Sequence, residues 1–475
     1  MSPTPEPHVS SEAHASSEAQ ASAEPRTAER YAGLVKAYDI RGIVPEEFDE
    51  TAAYTIGATF AALTRADRIA VAHDMRGTSP ALAAAFTEGV LSQGGHVLDA
   101  GLGSTDYLYY VSGSLDIPGA MFTASHNPAQ YNGIKLCRAG AVPIGDGSGL
   151  ERIRAGLVEG VPSCGRARGT VMKLGLLEQY AAHLRTLVDL AGSRPLKVVV
   201  DAGNGMAGLT VPQVLDHSRL DVVPLYFELD GTFPNHEADP MKPANVADLK
   251  ARVLAEGADL GLAFDGDADR CFVVDERGEA VDPSQVIGLI AERELARHPG
   301  EAVVHNLITS RAVPEVIAEA GGTPIRSRVG HSFVKALMAE HGAVFGGEHS
   351  GHYYFRDFWF ADTGMLAALH VLAALGEQDR PMSQLMARYR RYAASGEINV
   401  VVEHPATALT EVANAFSGDR AEIDRLDGLT VRLADGNWFN LRASNTEPVL
   451  RLNAEGPEAS TVAELTDEVL ACLKK

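Results

Sequence analysis

The sequence predicts an α/β protein of several units: three related mixed α/β domains and a smaller α+β C-terminal domain. Three observations lead there. From Tyr31 onward, short apolar runs alternate with Ala- and Leu-rich helical stretches, the pattern of βαβ units with mainly parallel sheets. Three of the apolar runs end alike, in Phe122, Phe264 or Phe345, each followed by a polar loop of mostly small residues. From about Gly396 the pattern changes to apolar and polar residues in alternation, as in an antiparallel sheet with one wet face. At 475 residues the chain is longer than one hydrophobic core serves. Domains are therefore expected over 31–172, 173–280, 281–394 and 395–475.

Residues 1–30 are rich in Ser, Ala, Glu and Pro and poor in aliphatic residues. They cannot repay the entropy of ordering, and a disordered tail is expected. Strands are predicted at "IAVAH" (69–73), "HVLDA" (96–100), "GAMFT" (119–123), "LKVVVD" (196–201), "DLGLAF" (259–264), "AVVHNL" (302–307) and "GAVFG" (342–346). A helix should follow "TSP" at 78–80, with Ser79 as cap and Pro80 in the first turn. Others should fill 176–190, 246–256, 310–320, 331–341 and 361–375. The last segment offers strands at "EINVVVE", "LTVRLAD", "NWFNLRAS" and "EPVLRLNAE", then a helix from Ser460.

Composition excludes several functions. Lys and Arg number 41 against 63 Asp and Glu, a formal charge of −22, so nucleic acid and anionic membranes are not expected partners. An anionic ligand would need a local basic pocket. No apolar run approaches the roughly 20 residues of a membrane span, and no signal peptide is apparent, so the cytoplasm is expected. Cys137, Cys164, Cys271 and Cys472 show no metal spacing and read as reduced and structural.

The chemistry lies in the loops. "DGDADR" places Asp265, Asp267 and Asp269 at alternate positions after a buried strand, where a loop can turn three hard oxygen donors toward Mg²⁺ or Ca²⁺. An EF-hand would put Glu276 at its twelfth position, but Arg270 stands where that loop needs Gly, and "RCFVVD" reads as a strand. Three carboxylates leave an octahedral Mg²⁺ short of ligands, which a phosphate oxygen commonly supplies. Ser125 of "TASHNP", on the equivalent loop of the preceding unit, is the natural carrier of that phosphate; His126 and Asn127 add hydrogen-bonding groups. "TASHNP" is not the G-x-S-x-G elbow of a hydrolase. "GNGMAG" at 203–208 has the outline of a dinucleotide loop but no ribose-binding acid at the usual distance, and reads as a structural turn. "GEHSGH" supplies Glu348, Ser350 and His352, suited to sugar hydroxyls. "RASNTEP" supplies Arg442, Ser444, Asn445 and Thr446, suited to a phosphate dianion.

In this order the four motifs resemble those of the α-D-phosphohexomutase family, most closely its bacterial phosphomannomutase/phosphoglucomutase branch. The resemblance runs from "YDIRG" at 38–42 to the C-terminal domain. It implies four domains around a central cleft and reversible exchange of hexose 1-phosphate and hexose 6-phosphate, of mannose or glucose. Ser125 would be the phosphoserine and a ligand of one Mg²⁺ per chain with Asp265, Asp267 and Asp269. Glu348 and Ser350 would hold sugar hydroxyls; Arg442, Ser444, Asn445 and Thr446 would anchor the distal phosphate. Tyr38, Arg41, His126, Lys135, Arg270, His331 and His352 would line the cleft, with Lys135 or His352 moving the hydroxyl proton. Hexose 1,6-bisphosphate is implied as intermediate and activator, and a monomer or weak homodimer is expected. Two positions depart from the pattern: Ile308 stands where many relatives carry Lys, and His349 where close bacterial relatives have Met. A Mg²⁺-dependent sugar-phosphate phosphatase would use the same serine and metal loop but has no need of a distal phosphate anchor. A non-enzymatic sugar-phosphate sensor would need neither Ser125 nor the aspartates.

Overall fold

Four sheets organise the chain, described in a computed structural model for residues 30–31, 33–36, 39–145, 147–418, 421–443 and 449–473. The first runs, edge to edge, Ile40–Ile43, Tyr131–Arg138, Gly119–Phe122, Arg68–His73, His96–Leu102 and Val171–Lys173, with Val142–Pro143 beside Tyr131–Arg138. The second runs Ala280–Val281, Cys271–Asp275, Leu260–Phe264, Leu196–Asp201 and Leu220–Leu225, and the third Thr323–Ser327, Ala302–Asn306, Phe345–Gly347, Tyr353–Phe355 and Ala361–Asp362.

One step recurs in all three sheets. Gly119–Phe122, Leu260–Phe264 and Phe345–Gly347 each lie parallel to a preceding strand and antiparallel to the next one in the chain. The connections are 123–130, 265–270 and 348–352, the three motif loops. The repetition in the sequence is thus a repeated strand–loop–strand unit, with its loop at the carboxyl end of a parallel strand where α/β ligands bind. The third strand is Phe345–Gly347, shifted toward the C-terminus from the expected 342–346. Gly346 and Gly347 belong to it because a Cβ there would meet Met338 and Ile287 at 2.6 Å: the glycines let helices close on the strand.

One apolar core joins the three units, collecting Leu108, Val198, Phe264, Ile287, Val303 and Phe345 around helix Gly364–Gly376, which is buried on every side. The fourth sheet is antiparallel throughout, in the order Ala393–Val401, Val449–Gly456, Trp438–Ala443, Leu429–Leu433 and Ala421–Asp424. It packs a separate core of Leu429, Phe439, Leu441, Leu452 and neighbours under helices Pro405–Ala415 and Ala459–Leu473.

Local expectations need correction in places. Helix Ser79–Ser92 is preceded by Thr78, which makes no side-chain cap; Ser79 lies in the first turn and donates its hydroxyl to Asp74 instead, at 2.6 Å. All four cysteines are free, but only Cys137 and Cys271 are buried, and Cys164 is exposed. The expected tail lies, but for its last residue, outside the described residues, as do Tyr38, Ser444, Asn445 and Thr446. Among the described residues no helix is long and apolar enough to cross a membrane.

Candidate active site

The three motif loops meet. Ser125 sits at the start of its loop with φ 49°, a left-handed conformation uncommon for serine, and is 4% exposed. Its amide donates to Thr123 Oγ1 at 2.9 Å, and its hydroxyl donates to Asp265 Oδ2 at 2.7 Å and lies 3.2 Å from His126 Nδ1. The backbones touch as well: a Cβ on Gly266 would fall 2.4 Å from the Ser125 carbonyl oxygen. "GNGMAG" supports the same seat. Met206 N–H donates to the Gly266 carbonyl at 2.9 Å, and Gly205 leaves room for that residue. Loops two and three join through a bridge between Arg270 and His352.

Asp265, Asp267 and Asp269 are fully buried, and one oxygen from each lies within 4.8 Å of the others. Burial pushes the Asp265 carboxyl up to about 7 against the pull of Arg270, whose Nε donates to Asp265 Oδ2 at 2.8 Å. Burial and Asp269 both oppose charge on Asp267, yet Lys135 and the Thr105 hydroxyl hold it below the ordinary carboxylate range. Lys135 Nζ donates to Asp267 Oδ2 at 2.7 Å and to Asp269 Oδ2. Burial works against its charge too, but the two aspartates outweigh it and raise the ammonium above the usual lysine range. Asp267 Oδ1 and Asp269 Oδ1 remain buried without a hydrogen-bond partner. Hard orphaned oxygens at this spacing fit a hard divalent cation.

Other sequence-predicted residues surround this centre. Arg41 Nη1 donates to Asn127 Oδ1 at 2.5 Å, which ties "YDIRG" to the serine loop. His352 Nδ1 lies 2.8 Å from Ser350 Oγ, and its Nε2 lies 3.7 Å from Asp269 Oδ1. Burial holds both His126 and His352 below the usual imidazole range, and His331 is pushed down to about 4 by burial with Lys335 adding to it. Glu348 accepts from Gly330 N–H at 2.8 Å and from the Tyr354 hydroxyl at 2.5 Å, so it also shapes its own loop. Arg442 is 6% exposed and lies 3.4 Å from Glu397, at the end of strand Trp438–Ala443. His349 Nδ1 lies 3.3 Å from Ser284 Oγ, and it lines with Ile308 a cavity of about 1050 Å³ that includes none of Asp265, Asp267 and Asp269.

Four residues at the site escaped the sequence reading. Thr105 donates its hydroxyl to Asp267 Oδ2 at 2.5 Å. Lys335, 3% exposed, pairs with Asp362 beneath the Tyr109 ring, 4.2 Å from its centroid. Arg76 lies under the serine loop. Only Thr105 had a signal: "GST" before an apolar helical run marks a helix start.

A buried serine hydroxyl against three clustered carboxylates lies at the junction of three repeated α/β units, and the relatives of the chain place it among the mutases, a class of isomerases. The chain belongs to the phosphoglucomutase/phosphomannomutase family. Residues 32–157, 178–278 and 282–392 match its alpha/beta/alpha domains I, II and III, and 397–471 match its C-terminal domain. The chain is similar to a phosphomannomutase of Salmonella montevideo, 38% identical over 92% of this chain and 98% of that one. A solved phosphoglucomutase/phosphomannomutase family protein of Burkholderia thailandensis superposes with TM-score 0.85 at 31% identity, covering 93% and 97% of the two chains. Aspergillus fumigatus N-acetylphosphoglucosamine mutase, solved in complex with GlcNAc-6P and magnesium, shares the fold at 14% identity and TM-score 0.61, covering 95% and 98%.

Proposed function

We propose that the chain interconverts hexose 1-phosphate and hexose 6-phosphate, of mannose, glucose or both, through phosphorylated Ser125 and a bound hexose 1,6-bisphosphate. The observation that carries this reading is the Ser125 hydroxyl, 2.7 Å from Asp265 on a loop seated against three buried carboxylates and Arg270. The free hydroxyl of the sugar attacks the phosphorus of phospho-Ser125; a new O–P bond forms, the hydroxyl proton passes to His352, and the Oγ–P bond breaks to leave a serine alkoxide, whose charge the cation site of Asp265, Asp267 and Asp269 would offset until Oγ attacks again. An imidazole has a lone pair for that proton, whereas the Lys135 ammonium, committed to Asp267 and Asp269, has none. The bisphosphate turns end over end, and Ser125 takes its other phosphate as His352 returns the proton to the departing oxygen.

Asp265, Asp267 and Asp269, with Ser125, would hold one Mg²⁺, which when bound neutralises charge on the transferring group. Magnesium accompanies a sugar phosphate in the Aspergillus mutase. Arg270 keeps a buried Nη2 without a hydrogen-bond partner, suited to a phosphoryl oxygen. Glu348 and Ser350 hold sugar hydroxyls, and Arg41 and His331 line the approach; a substrate-binding role is proposed for Tyr38 as well. Arg442 with Ser444, Asn445 and Thr446 anchors the phosphate remote from Ser125. The enzyme works in the cytoplasm as a monomer or weak homodimer.

Phosphorus NMR of the protein with Mg²⁺, a trace of hexose 1,6-bisphosphate and either mannose 1-phosphate or glucose 1-phosphate tests the reading. A growing 6-phosphate signal is expected. Free inorganic phosphate would point to a phosphatase instead, and no change to a sensor.

A further inference from the structure

Arg76 is 1% exposed, lies on none of the motif loops, and takes no part in the chemistry above. Both its terminal nitrogens are occupied by the serine loop and its flank. Nη1 donates to the carbonyl oxygens of Pro128 at 2.8 Å and Tyr131 at 3.0 Å. Nη2 donates to those of Ser125 at 2.8 Å and Asn127 at 2.7 Å. Nε makes no hydrogen bond and pairs only electrostatically with Asp74 Oδ2, 3.3 Å away, so the four Nη donors carry the contact with the loop.

Asp74 is fixed in turn. It is fully buried, and its Oδ1 accepts from the Arg76 amide at 3.0 Å and from the Ser79 hydroxyl at 2.6 Å. Asn132, just past the loop, donates to that same Ser79 oxygen at 2.9 Å and closes the frame. The second unit seals it: the Phe233 ring lies 5.1 Å from the Arg76 guanidinium carbon, and Gly231 packs so close that a Cβ would fall 2.6 Å from Arg76 Cα.

We propose that Arg76 is the positioning residue for Ser125, a planar cation that gathers four backbone carbonyls and so holds the phosphoserine loop in its left-handed turn. This rests on Ser125 being the phosphoryl carrier. A sugar that turns over between two transfers leaves Ser125 as the fixed reference of the site, and its oxygen must return to the same place for either end of the substrate. Lysine cannot replace the fork: its three donors radiate from one point and cannot span four carbonyls and a carboxylate. The same four bonds explain how a serine keeps φ 49° in a loop that must stay still.

The test is Arg76→Lys, compared with wild type for turnover and for the rate at which Ser125 is phosphorylated by glucose 1,6-bisphosphate. Values are taken per folded molecule, with folding checked by circular dichroism. A serine oxygen displaced by about 1 Å loses on the order of 100-fold in rate. Arg76→Lys should therefore lower kcat in both directions and phosphoenzyme formation by about that factor, with KM changed by less than about threefold. Guanidinium ion added to Arg76→Ala should restore part of the rate. A folded Arg76→Lys enzyme within about twofold of wild type on both rates would overturn the proposal. Should the Arg76 variants not fold, Phe233→Ala, which opens the guanidinium to water that competes for its carbonyl bonds, decides: a fall in kcat with KM held supports the proposal, and unchanged kcat sinks it. Wild type that takes no phosphate on Ser125 would instead overturn the phosphoserine reading on which this one stands.

Discussion

Ser125 and Lys135 act at a scale where one side chain decides the outcome. Ser125→Ala should abolish phosphoenzyme formation and lower turnover by roughly 10⁴-fold or more, as loss of a nucleophile does; radiolabel transfer from bisphosphate checks it. Lys135, only 13% exposed at its side chain, pairs with two fully buried aspartates. Breaking a buried pair from one side leaves uncompensated charge and costs about 3–5 kcal/mol. Lys135→Met should therefore unfold at lower denaturant in EDTA, and saturating Mg²⁺ should narrow its gap to wild type because the cation offsets the same carboxylates. Equal gaps with and without Mg²⁺ would remove the metal from that cluster.

Helix Thr105–Leu115 shows what one element contributes. Ser104 caps it by accepting from Tyr107 N–H at 3.3 Å. Thr105 reaches Asp267 of the second unit, and Asp106 accepts from the hydroxyls of Tyr180 and Thr363, each at 2.7 Å. Three units are thus pinned at one helix start. Burial pushes the Asp106 carboxyl up to about 6, against hydrogen bonds from Ser104, Thr363 and Tyr180. A carboxyl that binds its proton more tightly folded than unfolded stabilises the fold below its unfolded value, near 4, and loses that contribution as pH rises through about 6. A rise of that size is worth about 3 kcal/mol. Wild type should therefore lose stability relative to Asp106→Asn between about pH 4 and pH 6; denaturant midpoints of both proteins at each end of that range check it. Parallel curves would show that Asp106 binds its proton no more tightly folded than unfolded.

For the whole molecule, the division of cores is decisive. The first three sheets share one core and form one body, while the fourth keeps its own. Its polar links to the third unit include Arg311 N–H to Glu455 at 2.9 Å, Val329 N–H to Asp427 at 3.0 Å, and Arg326 paired with Asp424. Such contacts break more cheaply than a core does. X-ray scattering should show compaction when hexose phosphate and Mg²⁺ are added, as the unit carrying Arg442 approaches the others. Arg326→Ala with Asp427→Ala should give a larger radius of gyration without ligand. No change of radius in either protein would mean that the fourth unit is fixed.

The sequence by itself determined the α/β class, the threefold repeat and the loops that carry Ser125, the aspartates, Glu348 and His352. Each of these rests on local chemistry: buried strands are continuously apolar, and polar residues at their ends mark the turn. Only the tertiary structure could decide that Lys135, on a strand, reaches Asp267 and Asp269, that Thr105 touches Asp267, and that Arg76 lies beneath Ser125. These contacts join residues 49 to 162 positions apart. No periodicity or spacing records them, because they arise when separately folded strand ends are packed on one shared core.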